Sequence, residues 1–125
     1  IDATANGSST MHVAITNNDI NELSGNSPLG AINTLSGGNI GDTASMCLHI
    51  SDNILDSSGA SFPIGDIFVD QISANSSYNF PGYGGPATGG AALDAFLDGQ
   101  NTSNGPAILT IASSNITGNG ATCPP

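Results

Sequence analysis

Three pairs of aspartates sit four residues apart: Asp52 with Asp56, Asp66 with Asp70, and Asp94 with Asp98. Two carboxylates at a fixed separation can do general acid and base work on a glycoside. Polysaccharide lyases also use a cation against the negative charge that develops on the sugar. This chain has no Lys and no Arg to supply one. The plainer reading of the acids is scattered surface charge, and no catalytic set is assigned. His12 and His49 lie in two similar apolar runs but out of step by two residues. Two histidines without further ligands do not make a zinc site. Calcium suits an acidic secreted chain better, yet neither a D-x-D-x-D-G loop nor a G-G-x-G-x-D repeat is present. No cofactor is therefore expected, with calcium the one ion left open. Tyr78, Phe80 and Tyr83 crowd a Gly- and Pro-rich stretch. They read either as a sugar-stacking platform or as a packing plug over one end of the core. Asn6, Asn75, Asn101 and Asn115 each open an Asn-x-Ser/Thr sequon, which a eukaryotic secretory route would treat as a glycan site.

The charge balance narrows the partners. Ten acids against no bases give a formal net charge of -10 over 125 residues. Only 8% of residues are charged, against about 25% in an average soluble domain. No Lys or Arg is available to face phosphates, so nucleic-acid binding is not expected. No apolar stretch reaches the length of a membrane-spanning helix, so direct membrane insertion is not expected. An acidic surface favours basic or cation-bridged partners. The two cysteines, Cys47 and Cys123, can form one disulfide that ties the tail to a central strand, or remain two thiols. A disulfide would imply an oxidising, extracytoplasmic setting, either secreted or at the cell surface.

The elements that must position these groups are short strands. Met46, Leu48 and Ile50 alternate with other residues, the period of a strand with one buried face. Ser51-Asp52-Asn53 then reads as a corner, and Ile54 resumes the apolar pattern. The same unit of strand, Asn-bearing corner and isoleucine recurs at residues 11–20 and 107–116. Further strands are expected at 31–35, with Ile40 after its corner, and at 64–72. From Val13 to Ala31, Leu48 and Ile67 the steps are 18, 17 and 19 residues. Such spacing suggests the stacked coils of a solenoid, with a sandwich or barrel as the competing architecture. In a stack, corner asparagines can bond their own backbone and the amides above and below. One helix is expected over 88–99, with Leu93, Phe96 and Leu97 on one face, Thr88 as cap and Gly99 as stop.

Several of these parts occur in a familiar order. Met46-Cys47-Leu48-His49-Ile50-Ser51-Asp52-Asn53 is followed by Phe80-Pro81-Gly82-Tyr83, then by Ala91-Ala92-Leu93-Asp94-Ala95-Phe96-Leu97, then by Cys123-Pro124. This order resembles the C-terminal end of bacterial secreted or surface right-handed parallel β-helix repeat proteins, which are mostly of unassigned function. The resemblance covers about 40–125. It implies a fold and an export route, and supplies no activity. The arginines often found in that group between strand and loop are missing here.

Together these readings give an all-β chain: a short right-handed parallel β-helix with one capping helix near residues 90–98. Residues 1–125 form one domain, with stacked coils over 1–72, an aromatic loop and helix over 73–100, and a last strand and disulfide-tied tail over 101–125. Ile15, Leu48, Ile50, Ile67, Val69, Ile108 and Ile111 are expected to point inward. The expected function is a non-enzymatic extracellular structural or adhesin-like module. It would be the terminal part of a larger protein or a subunit of an assembly, meeting further coils or another subunit at its N-terminal end, with glycans as a further class of partner. The alternative is a carbohydrate-active enzyme using Asp carboxylates.

Overall fold

The computed structural model describes residues 1–21, 31–56, 66–103, 111–114, 116, 119, 120, 122 and 123. They form eleven strands: β1 (Asp2–Ala5), β2 (Thr10–Thr16), β3 (Asp19–Asn21), β4 (Ile32–Ser36), β5 (Ser45–Ser51), β6 (Ile54–Asp56), β7 (Ile67–Gln71), β8 (Ser77–Asn79), β9 (Thr102–Ser103), β10 (Ile111–Ser114) and β11 (Asn119–Gly120). One helix, α1 (Ala91–Asp98), lies between β8 and β9.

Every described strand pair is parallel, and the strands divide among three sheets. Sheet 1 has the order β1-β4-β7-β10, sheet 2 the order β2-β5-β8-β11, and sheet 3 the order β3-β6-β9. The chain thus visits the three sheets in turn and returns to the first, one strand further along. We call each pass a circuit: β1–β3, β4–β6, β7–β9, then β10 and β11.

The spacing of 17 to 19 residues read from the sequence is the step from one sheet to another, not a whole circuit. Paired residues show the real repeat. Asp2 pairs with Asn33, Ile32 with Ile67, and Thr10 with Ser45, offsets of 31, 35 and 35 residues. Between the third and fourth circuits the offset grows to 44, Ile67 with Ile111, because the aromatic loop and α1 are inserted there.

Period two decides which side chains face inward. In sheet 2, Met11, Val13 and Ile15 lie over Met46, Leu48 and Ile50, and Met46 lies over Tyr78. Stacking like on like lets each apolar column bury itself between circuits, which no single short strand could do. Ile15, Leu48, Ile50, Ile67 and Val69 are buried as expected, while Ile108 and the side chain of Ile111 lie outside the described residues. The isoleucines after the corners behave differently. Ile54 is 40% exposed and Ile40 is 94% exposed, whereas Leu55, one place later, is fully buried. The corner shifts the alternation by one residue, so the inward position is the second after Asn53. Ile72 is likewise exposed, because β7 ends at Gln71.

The bend between sheets 1 and 2 is built from buried polar groups. The Ser36 hydroxyl donates to the Ser77 carbonyl at 3.0 Å, and the Gln71 amide donates to the Ser73 and Ser76 carbonyls at 2.7 and 2.9 Å. Gly37 has φ 73°, and a Cβ there would stand 2.3 Å from the Ser76 hydroxyl oxygen, so only glycine fits.

α1 buries Leu93 and Leu97, half-buries Phe96 and packs against β10. Its N-cap is Gly90 rather than Thr88, and no side chain caps it. Gly99 follows the last helical residue in right-handed conformation, so it does not stop the helix by a left-handed turn. The disulfide Cys47–Cys123 is present, with Cα atoms 5.3 Å apart and a sequence separation of 76. Cys47 shares the outer face of β5 with His49, so Cys123 is held on the outside of sheet 2.

Candidate functional site

The aromatic stretch folds inward. Tyr78 and Phe80 are fully buried and Tyr83 is 4% exposed. The rings of Tyr78 and Phe80 stack at 5.5 Å, Phe80 meets Tyr83 edge-on at 6.3 Å, and Tyr83 meets Phe96 of α1 at 5.3 Å. A sugar platform needs an open ring face, and these faces are taken by one another and by the core. The cluster joins the loop and α1 to the sheets. The Tyr78 hydroxyl donates to the Asp70 carbonyl at 3.0 Å and bonds the Thr34 hydroxyl at 3.2 Å. Burial pushes this phenol far above its ordinary pKa, and the Asp70 charge adds to the push.

The three acid pairs lie on different elements. Asp66 and Asp70 lie at opposite ends of an extended run, about 13 Å apart at Cα for four residues of strand. Asp52 is at a corner with φ 58°, and Asp56 ends β6. Asp94 and Asp98 are one helical turn apart, with Asp98 exposed beyond the buried Leu93–Leu97 stripe. His12 and His49 are both exposed on the outer face of sheet 2. His12 pairs with Cys47 and Ala14 with His49, so the two rings do not stack, as the sequence implies. Among the described residues, no three His, Cys, Asp or Glu side chains gather as a metal site would require.

The sequons separate by burial. Asn6 and Asn75 are exposed, Asn101 is 7% exposed, and Asn115 lies outside the described residues. A groove of about 160 Å³ on the outer face of sheet 1 was not anticipated from the sequence. Its floor is the cross-strand pairs Asn33–Phe68 and Leu35–Asp70, flanked by Asp2 and Thr4. The signal was the half-exposed Phe68 between the inward Ile67 and Val69, which period two assigns to the outer face.

The most developed chemical pattern is a ladder of asparagines at the corner between sheets 2 and 3. The residues before two of its rungs, Asn17 and Asp52, have φ 57° and 58°, the left-handed bend that Asn and Asp tolerate. The Asn18 amide donates to Asn53 Oδ1 at 3.0 Å, and the Asn53 amide donates to Asn101 Oδ1 at 2.9 Å. The backbone N–H groups repeat the pattern, Asn18 to Asn53 Oδ1 at 3.1 Å and Asn53 to Asn101 Oδ1 at 3.2 Å. Each amide spends its other hydrogen on a carbonyl: Asn18 on Thr16, Asn53 on Ile15, and Asn101 on Ile50 and Leu97. Asn18 and Asn53 are legible in the sequence as corner asparagines. Asn101 is not, because the aromatic insertion displaces it from the repeat.

The two ends of this stack differ. At the α1 end, Leu97 is buried in the core and its carbonyl accepts from Asn101. At the other end, β1, β2 and β3 are edge strands of all three sheets. Ala3, Met11, Val13 and Ile20 there are only partly buried, whereas Met46, Leu48 and Leu55 beneath them are 0–1% exposed. The first circuit thus presents half-covered core side chains framed by three strand edges, a surface suited to strand pairing. No protein-family model, no curated protein and no solved structure matches this chain.

Proposed function

We propose that the chain is a short right-handed parallel β-helix acting as a non-enzymatic structural or adhesin-like module, secreted or displayed at a cell surface. The observation that carries this reading is the regular return of the chain to three parallel sheets, with one core running through all circuits. The handedness follows from the strong right-handed preference of parallel strand crossovers. Regular ladders and buried asparagines favour a durable scaffold, and the disulfide supports an oxidising compartment. The order of Cys47 strand, Phe80–Tyr83 loop, α1 and Cys123 fits the resemblance to bacterial surface β-helix proteins. The half-covered first circuit is where further coils or another subunit would attach. Glycan contact is confined to the outside of the sheets, since the tyrosines are buried.

The test is incubation of the purified chain with a panel of neutral and acidic polysaccharides, with product analysis by mass spectrometry. The expected result is no cleavage. Turnover that is lost on Asp66→Asn or Asp94→Asn substitution would replace this reading with a carbohydrate-active enzyme.

A further inference from the structure

The asparagine ladder has a direction, and that direction specifies what the first circuit can accept. The Asn53 and Asn101 side-chain oxygens accept from the rung before them, and the Asn18 and Asn53 amides each give one hydrogen to the next rung toward α1. The orientation of the amides is fixed by chemistry rather than by choice. Asn53 Oδ1 faces the Asn18 backbone N–H, and the Asn53 Nδ2 faces the Ile15 carbonyl. A flipped amide would set donor against donor and oxygen against oxygen. Asn18 is fixed in the same way, because its Nδ2 faces two acceptors, the Thr16 carbonyl and Asn53 Oδ1. Asn18 Oδ1 therefore points away from the stack, and it accepts no hydrogen bond among the described residues.

From this polarity we infer that the first-circuit edge is an interface for a parallel strand–corner–strand segment of a partner polypeptide, one that lays an Asn amide and its backbone N–H onto Asn18 Oδ1. The inference rests on the stacked-coil reading above and adds the identity of the occupant. It would bury Met11, Val13 and Ile20 as the first circuit now buries Met46, Leu48 and Leu55. It would also pair with the edges of β2 and β3 in the register that β2 and β3 adopt on β5 and β6.

Two other occupants fit less well. A head-to-head copy related by a two-fold axis would set Asn18 Oδ1 against its own counterpart, acceptor against acceptor, and would run the strands antiparallel. A head-to-tail copy would bring up the α1 end, where both hydrogens of the Asn101 amide are already spent on Ile50 and Leu97.

Residues 10–21 form the segment that sits in this way on the second circuit, so they define the probe. A capped, dye-labelled peptide of that sequence is titrated with the intact, oxidised chain and followed by fluorescence anisotropy, in parallel with a peptide carrying Asn18→Ala. The expected result is saturable binding that the substitution weakens about tenfold, the loss of one net hydrogen bond to a desolvated partner. Light scattering of the chain alone is expected to show a monomer at the same concentration. Absence of saturable binding, equal binding of the two peptides, or a stable symmetric dimer that the peptide does not dissociate would each overturn the inference. Such failure, with polysaccharides still uncleaved, would leave the non-enzymatic reading in place.

Discussion

Asn53 is the residue on which most bonds converge. It is fully buried, accepts from Asn18 and donates to Asn101 and to the Ile15 carbonyl. Removing its side chain strips partners from three other groups, and an unsatisfied buried group costs about 1–3 kcal/mol. Asn53→Ala is therefore expected to destabilise the chain by about 3 kcal/mol. Asn18→Ala, at the half-exposed end of the same ladder, should cost only about 1 kcal/mol, because water can replace what is lost. Urea denaturation of the two variants measures both. Equal midpoint shifts would mean that the ladder does not run through the core as described. The sequence showed that corner asparagines could stack, since Asn17-Asn18 and Asn53 follow strands of matching pattern. It could not show that Asn101 joins them. A sequon and a polar neighbourhood look the same whether the asparagine is solvated or buried.

Among the elements, the short β8 joins the most parts. Through Tyr78 it reaches Thr34 of β4 and Asp70 of β7, and so bonds sheet 2 to sheet 1 through the core. Tyr78→Phe keeps the ring stack and loses the hydroxyl, at an expected cost of about 1 kcal/mol near neutral pH. The phenol also makes stability depend on pH. Its folded pKa is raised above the unfolded value near 10, so the folded state holds the proton more tightly. The stabilisation is complete below about pH 10 and is lost as pH rises above it. Wild-type denaturation midpoints should therefore fall more steeply than those of Tyr78→Phe between about pH 9 and 11. Parallel curves would contradict the buried, neutral phenol. Strand existence was legible at this scale, because alternation in 46–50 and 67–71 needs only local pattern. Sheet membership was not. A regular step of 17 to 19 residues is the same whether consecutive strands stack on each other or lie in different sheets, and only the pairing of Ile32 with Ile67 separates the two. Ile54 resumes the apolar pattern in the sequence, yet it is 40% exposed, because the corner with its left-handed Asp52 shifts the phase by one residue.

At the scale of the whole molecule, β1, β2 and β3 are the edge strands at one end and β10, β11 and β9 at the other, where α1 packs against β10. The disulfide holds Cys123 to β5, and α1 buries Leu93 and Leu97 and packs against β10. Nothing comparable among the described residues covers β1, β2 and β3. The absence of Lys and Arg in the sequence argues against lyase chemistry, and the buried Tyr78 and Tyr83 do not offer an open stacking face. The site that remains is an edge. An edge is invisible in sequence, because it is defined by what a strand lacks on one side rather than by its own residues.

Amide hydrogen exchange of the isolated, oxidised chain tests this polarity most directly. In a parallel ladder, alternate amides of a strand point to each neighbour, so an open edge leaves half of them without a partner. The account predicts that β5, paired on both sides, exchanges slowest throughout. It predicts that β2 splits into protected amides facing β5 and rapidly exchanging amides facing away. Uniform slow exchange along β2, equal to that of β5, would contradict an open first circuit, and with it the reading of this chain as a module built to be extended at that end.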